Sequence, residues 1–324
     1  MGRHIGDFSL EQLQAYKPEL VNKPADFASF WKGEKERVKR SGFSVDVKWI
    51  DYPLASVEVA ELTLHSWDRT PIKGTLMRLK RLLEGPVKLQ FHGYTGSRGL
   101  PSEFLKWVLQ GITVIAFDVR GQGDSPDYAN YPNGSRITGW MTLGIFERET
   151  YYYTNVYRDI IAQLEWVLTG APVKPTILGV NGASQGGGLA LVAAGLEVKV
   201  QFVACDWPFL THFDRALEVS LSGPYMELIN YLKLHNPENN LKSKILDTLA
   251  YVDALHFCPD IQVPILMGIG LEDSTTPPSS AYAAFNHIRS QDKTIVPYPQ
   301  YQHEPNPFHE EKKIAFIHER IYGS

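Results

Sequence analysis

The chain has 324 residues, of which 44% are apolar, 21% charged and 12% aromatic, and it carries a formal net charge of −4. Enough apolar residues are present for a sizeable core, and the near-neutral balance gives no reason to expect nucleic acid or an anionic membrane as a partner. No run of about 18 apolar residues occurs, so no membrane span is expected. Residues 1–7 lack the apolar centre of a secretory signal, and Gly6 stands where N-myristoylation favours Ser or Thr. Cys205 and Cys258 form neither a disulfide framework nor a zinc pattern; Cys205 closes an apolar run and reads as a buried core thiol. The expected setting is a reducing cytoplasm.

Along the chain, residues 8–40 read as a helical extension, with apolar Leu10, Leu13, Tyr16, Phe27, Phe30 and Trp31 at helical spacing. Segments 45–50, 57–64 and 72–79 alternate with a period of two, the mark of half-buried antiparallel strands. The pattern then changes to short apolar runs at 87–91, 113–117, 176–180, 200–205, 265–269 and 294–296. Helical stretches at 104–109, 151–168 and 189–194 separate several of them. Buried strands alternating with helices predict a mostly parallel α/β sheet covered on both faces, behind an antiparallel lead-in. Residues 208 to about 260 contain helical pieces and no convincing strand. They are expected to form a cap over the carboxyl ends of the strands, where open α/β sheets place their ligands.

Gly182-Ala183-Ser184-Gln185-Gly186 fits G-x-S-x-G, and it lies between a strand-like and a helix-like run, the setting that pattern requires. Such a turn lifts the Ser184 hydroxyl above the sheet, and the glycines relieve crowding between backbones. The helix that follows favours negative charge at its N-terminus. Neither this stretch nor Gly121-Gln122-Gly123 completes G-x-G-x-x-G, and no G-x-x-x-x-G-K-[ST] occurs, so nucleotide binding is disfavoured.

A serine needs a histidine to take its proton and a carboxylate to fix that histidine's tautomer. On this fold the order is serine, acid, histidine. Asp273 follows the run 265–269 in a strand-end loop, with Glu272 as the competing acid. His303 follows the last predicted strand. His287 reads as a surface residue, and His309 and His318 as structural residues of a final helix. His303-Glu304 does not continue to H-E-x-x-H, and Pro305 and Pro307 forbid the helix it needs, so no metal is expected. The developing oxyanion needs two preorganised donors. The Gln185 N–H is one, and the Tyr94 N–H, in the loop His92-Gly93-Tyr94-Thr95-Gly96, is the other; His92 reads as a support of that loop.

These residues resemble carbohydrate esterase family 7, the acetyl xylan esterases and cephalosporin C deacetylases. Arg120-Gly121-Gln122, Gly182-Ala183-Ser184-Gln185-Gly186 and His303-Glu304 occur in that family's order. Agreement extends to His92-Gly93-Tyr94, to Tyr151-Tyr152-Tyr153 and to Met267-Gly268-Ile269-Gly270-Leu271-Glu272-Asp273. The resemblance implies an α/β-hydrolase fold, deacetylation of small acetylated sugars and cephalosporins, no cofactor and a hexameric ring. It also implies a structural role near the site for Arg120 and Gln122. One departure is Gln302, where the family usually carries glycine before the histidine.

Overall fold

The computed structural model describes residues 7–132 and 137–323, so residues 1–6, on which the reading of the chain's start rests, lie outside the described part. Three strands lead in as an antiparallel meander: β1 (Ser44–Ile50), β2 (Val57–His65) and β3 (Pro71–Leu79). Six more follow: β4 (Glu84–Phe91), β5 (Thr113–Phe117), β6 (Lys174–Ala183), β7 (Phe202–Asp206), β8 (Ile265–Gly270) and β9 (Lys293–Tyr298). These six run parallel to one another, and β5 meets β3 antiparallel. Together they make one sheet in the order β1-β2-β3-β5-β4-β6-β7-β8-β9.

That order places the site. The chain steps from β4 outward to β5 and then returns across β4 to β6. The loops after β4 and β6 therefore leave neighbouring strands at a switch point, where a crevice opens beyond the carboxyl ends.

Strand alternation divides the core into two layers. Ile115 and Phe117 of β5 join the larger apolar cluster, while Val114 and Ala116 join the smaller one. Helices Phe27–Ser41, Tyr152–Thr169 and Gln185–Leu196 cover the first face, and the segment around Phe104 and Trp107 with helix Pro307–Tyr322 covers the second. Phe27, Trp31, Glu34 and Val38 bury one stripe of their helix at spacings of three and four.

Some expectations need correction. The run 294–296, read as a buried strand, belongs to β9, which has no fully buried residue because it is the edge of the sheet. The alternating segment 72–79 is not half-buried throughout: residues 74–78 are all buried, because β3 lies inside the sheet with both faces covered. Leu10 is exposed, and Leu13 alone buries the first helix, Leu10–Ala15. Between β7 and β8, residues 208–260 hold the helices Phe213–Val219, Tyr225–His235 and Lys242–Leu249 and no strand. No helix among the described residues is long and apolar enough to cross a membrane.

Candidate active site

Ser184 sits between the end of β6 and helix Gln185–Leu196, with φ 57° and ψ −120°. A side chain other than glycine's rarely adopts this conformation, which costs about 1–3 kcal/mol and persists only when the surroundings enforce it. They do. The Ser184 N–H donates to the Asp206 carbonyl at 3.0 Å, and its carbonyl accepts the N–H groups of Gly188 and Phe209 at 3.1 and 2.9 Å. A Cβ at Gly182 would stand 2.4 Å from the Gly186 carbonyl, and one at Gly186 would stand 2.2 Å from the Phe91 oxygen. Both glycines are thus required by the close passage of the helix start over the ends of β4 and β6.

The three groups read from the sequence in the order serine, acid, histidine come together. His303 Nε2 lies 2.9 Å from Ser184 Oγ, and His303 Nδ1 lies 2.8 Å from Asp273 Oδ2. Asp273 is buried, and its other oxygen, Oδ1, accepts the N–H groups of Thr275 and Thr276 at 2.8 Å each. These two N–H donors orient the carboxylate and leave Oδ2 for the imidazole. With Nδ1–H donating to Asp273, Nε2 is the acceptor that faces the serine. Glu272 makes no such contact; its backbone N–H donates to the Tyr301 carbonyl at 3.0 Å.

The loop bearing His303 is held by backbone. Leu271 N–H donates to Tyr298 O at 3.0 Å, and a Cβ at Gly270 would stand 2.3 Å from Tyr301 O and 2.4 Å from Gln302 O. The Gln302 side chain is exposed, its φ is not positive, and its N–H lies 3.3 Å from Glu304 Oε1. A residue larger than glycine therefore fits there without displacing His303.

Gln185 is the first residue of its helix, so its N–H has no partner within the helix. Its side chain is held by Gln122 and Tyr153 through three bonds. Oε1 accepts from Gln122 Nε2 at 3.0 Å and from the Tyr153 hydroxyl at 2.9 Å, and Nε2 donates to Gln122 Oε1 at 3.2 Å. Gln122 Oε1 also accepts the Thr95 N–H at 3.0 Å, so one amide braces the loop after β4 and the residue after the serine. The Gln122 amide and the Arg120 carbonyl are tied through the Tyr152 hydroxyl at 2.9 and 2.6 Å. His92 supports the same loop: Nδ1 faces the Gly93 carbonyl at 2.7 Å, Nε2 accepts the Val119 N–H at 2.8 Å, and burial lowers its pKa.

Arg120 is fully buried behind this network. It forms a two-pronged pair with Asp159, with both contacts at 2.7 Å, and it reaches Asp68 at 2.8 Å and Asp127 at 3.1 Å. Burial opposes its charge, but the Asp159 and Asp68 carboxylates outweigh that and raise its pKa. Burial still holds Asp159 above its ordinary value despite the guanidinium. Arg120→Ala leaves these carboxylates uncompensated and is expected to cost about 3–5 kcal/mol of stability, as for other broken buried pairs. Urea unfolding of the variant checks it; a loss below about 1 kcal/mol would mean the carboxylates find other partners.

Sequence alone did not single out Thr276, whose hydroxyl lies 2.8 Å from Asp273 Oδ2 and 3.1 Å from His303 Nδ1. The available signal was a threonine three residues after the acid, a spacing at which amides and a hydroxyl fold back on a carboxylate. The Trp207 ring, 6.2 Å from the His303 ring, carried no such signal. Buried His309 pairs with Asp206 at 2.9 Å, and Lys313 pairs with it at 2.5 Å. His318 is exposed. His287, expected at the surface, is half-buried, with Nδ1 2.8 Å from the Ala283 carbonyl of its own helix. Burial lowers its pKa.

The sequence matches the family described as acetyl xylan esterase (AXE1) over residues 3–320. An acetyl xylan esterase from Paenibacillus sp. R4 superposes with a TM-score of 0.92 at 41% identity, covering 96% of this chain and 99% of that one. Acetyl xylan esterase 1 from Thermoanaerobacterium sp. JW/SL YS485 superposes with a TM-score of 0.90 at 29% identity, over 97% and 99% of the two chains. The acetyl esterase Axe7A of Xylanibacter ruminicola is 24% identical over 296 residues, 89% of this chain; the chain spans 65% of that relative's length. A cold-adapted esterase from an Arctic intertidal metagenomic library, 15% identical over 86% of this chain and 99% of its own, shares the fold with a TM-score of 0.57. By its sequence and by its fold, the chain belongs to the acetyl xylan esterase family of carboxylic ester hydrolases, with the α/β-hydrolase architecture.

Proposed function

We propose that the chain removes acetyl groups from small acetylated substrates, namely acetylated xylooligosaccharides, cephalosporin C and simple acetate esters, through an acyl-enzyme on Ser184. The observation that carries this reading is the unbroken line Asp273 Oδ2, His303 and Ser184 Oγ, with spacings of 2.8 and 2.9 Å, on a strained elbow. His303 Nε2 takes the hydroxyl proton as Ser184 Oγ attacks the acetyl carbonyl, and Asp273 stabilises the imidazolium. The Gln185 and Tyr94 N–H groups receive the oxyanion. As the tetrahedral intermediate collapses, His303 gives its proton to the departing alcohol. It then deprotonates a water that attacks the acyl carbon, releases acetate and returns the proton to Ser184.

In the same reading, the segment 208–260 caps the site. Tyr94, with its ring 5.2 Å from Trp140 and 6.1 Å from Phe209, bounds a small acyl pocket. The hexamer implied by the resemblance and a cytoplasmic setting, in keeping with the unpaired buried Cys205 and Cys258, complete it. Acetate release from acetylated xylooligosaccharides and cephalosporin C, together with p-nitrophenyl acetate, butyrate and octanoate kinetics, tests it. Acetyl is expected to exceed octanoyl in kcat/KM by at least about tenfold, since each misfit methylene in a tight pocket weighs on the transition state. Preference for the longer chains would make the protein a general carboxylesterase instead.

A further inference from the structure

Helix Tyr225–His235 lies in the segment between β7 and β8, yet its Glu227 meets the loop that follows β4. Glu227 Oε1 accepts the Tyr94 hydroxyl at 2.7 Å, and Oε2 accepts the Met141 N–H at 3.1 Å. The Tyr94 hydroxyl in turn accepts the Trp140 N–H at 2.8 Å. Gly139 has φ +115°, which favours glycine, and a Cβ there would stand 2.1 Å from the Glu227 carboxylate, so a side chain at 139 would displace that carboxylate. Among the described residues no cationic side chain is ion-paired with Glu227. Burial raises its pKa, while the Tyr94 and Met141 donors pull it down.

The residues just before this helix grip the loop of the acid. Leu221 and Ser222 donate their N–H groups to the Ser274 carbonyl at 2.9 and 3.3 Å. Ser222 Oγ lies 3.0 Å from Ser274 Oγ and 2.8 Å from Thr275 Oγ1. Residues 221–227 therefore bridge the loop that carries Asp273 and the loop that carries Tyr94.

A half-buried carboxylate with no ion-paired cation among the described residues, placed to receive the far end of one tyrosine, is more than packing requires. Its effect is to leave Tyr94 one position: held at the hydroxyl by Glu227 and Trp140, and at the ring by Trp140 and Phe209. Phe209 is itself bonded through its N–H to the Ser184 carbonyl at 2.9 Å. We propose that Glu227 is a positioning residue for the oxyanion donor, fixing Tyr94 so that its backbone N–H is aimed where the acetyl oxygen gains charge. The proposal rests on the reading of Tyr94 as that donor. It makes the segment between β7 and β8 part of the machinery that stabilises the transition state.

The test compares Tyr94→Phe, Glu227→Ala, their double variant and Glu227→Gln with p-nitrophenyl acetate. Each of the first two is expected to lower kcat about tenfold, short of the 10²–10³ for a donor removed outright, with KM within about threefold. The double variant should fall no further than the weaker single variant, because both changes cut one link. Glu227→Gln keeps an acceptor for the Tyr94 hydroxyl and should recover part of the loss. Tyr94→Phe deletes a single oxygen, so its result stands even if Glu227→Ala fails to fold. Wild-type turnover with Tyr94→Phe and Glu227→Ala both within twofold of its kcat overturns the assignment, as does multiplicative loss in the double variant. Absence of turnover in the wild type overturns the esterase reading itself.

Discussion

Replacing Ser184 with alanine is expected to lower kcat for an acetate ester by about 10⁶-fold, with a residual rate about 10³–10⁴ above water. The size follows from the way the site is built. Among the described residues, the Ser184 hydroxyl is the group bonded to His303 Nε2, at 2.9 Å, so on the proposed mechanism its removal leaves only binding and the oxyanion donors. The fold should be untouched or slightly stabilised, because the conformation at position 184 is imposed by backbone bonds to Asp206, Gly188 and Phe209. Steady-state kinetics beside thermal unfolding of both proteins would check this. Turnover within tenfold of the wild type would remove Ser184 from the reaction.

Asp273→Asn is expected to cost about 10⁴ in kcat, the scale found when an orienting carboxylate becomes an amide. Neither orientation of the new amide satisfies this pocket. With its NH2 at the Oδ1 position it faces the N–H groups of Thr275 and Thr276, which are donors at 2.8 Å. Turned round, the NH2 meets His303 Nδ1, which must then accept, and Nε2 carries the proton toward Ser184. The second arrangement holds the wrong tautomer; the first breaks two bonds in a buried site. Glu272→Gln is the comparison, expected within about twofold because its backbone, not its carboxylate, joins the network. Equal losses in the two variants would move the acid away from Asp273.

The elbow, the chain order of serine, acid and histidine, and the change from alternating to buried strands were legible because each has a local physical cause. Glycine before and after Ser184, a period of two in β2, and five buried residues in β5 leave marks within a short window. What a window does not contain is neighbourhood. That β9 is an edge and β3 an interior strand depends on the order of the sheet, which no run of residues encodes. Glu227 was invisible for the same reason: nothing in Pro224-Tyr225-Met226-Glu227 points to a tyrosine after β4, and only folding brings the two together. His287, read as a surface residue, is half-buried because its helix packs with one flank toward the interior.

The clamp between Gly270 and the carbonyls of Tyr301 and Gln302 bears on how this site tolerates drift. Two neighbouring positions stand under opposite rules. At 270 even a methyl group would push away the loop that holds His303 beside Asp273, so inheritance there is narrow. At 302 the side chain leaves the backbone toward water, and many residues can come and go while the histidine stays where it is. A comparison that weighs the residue before the histidine as a signature of function would be reading the freer of the two positions.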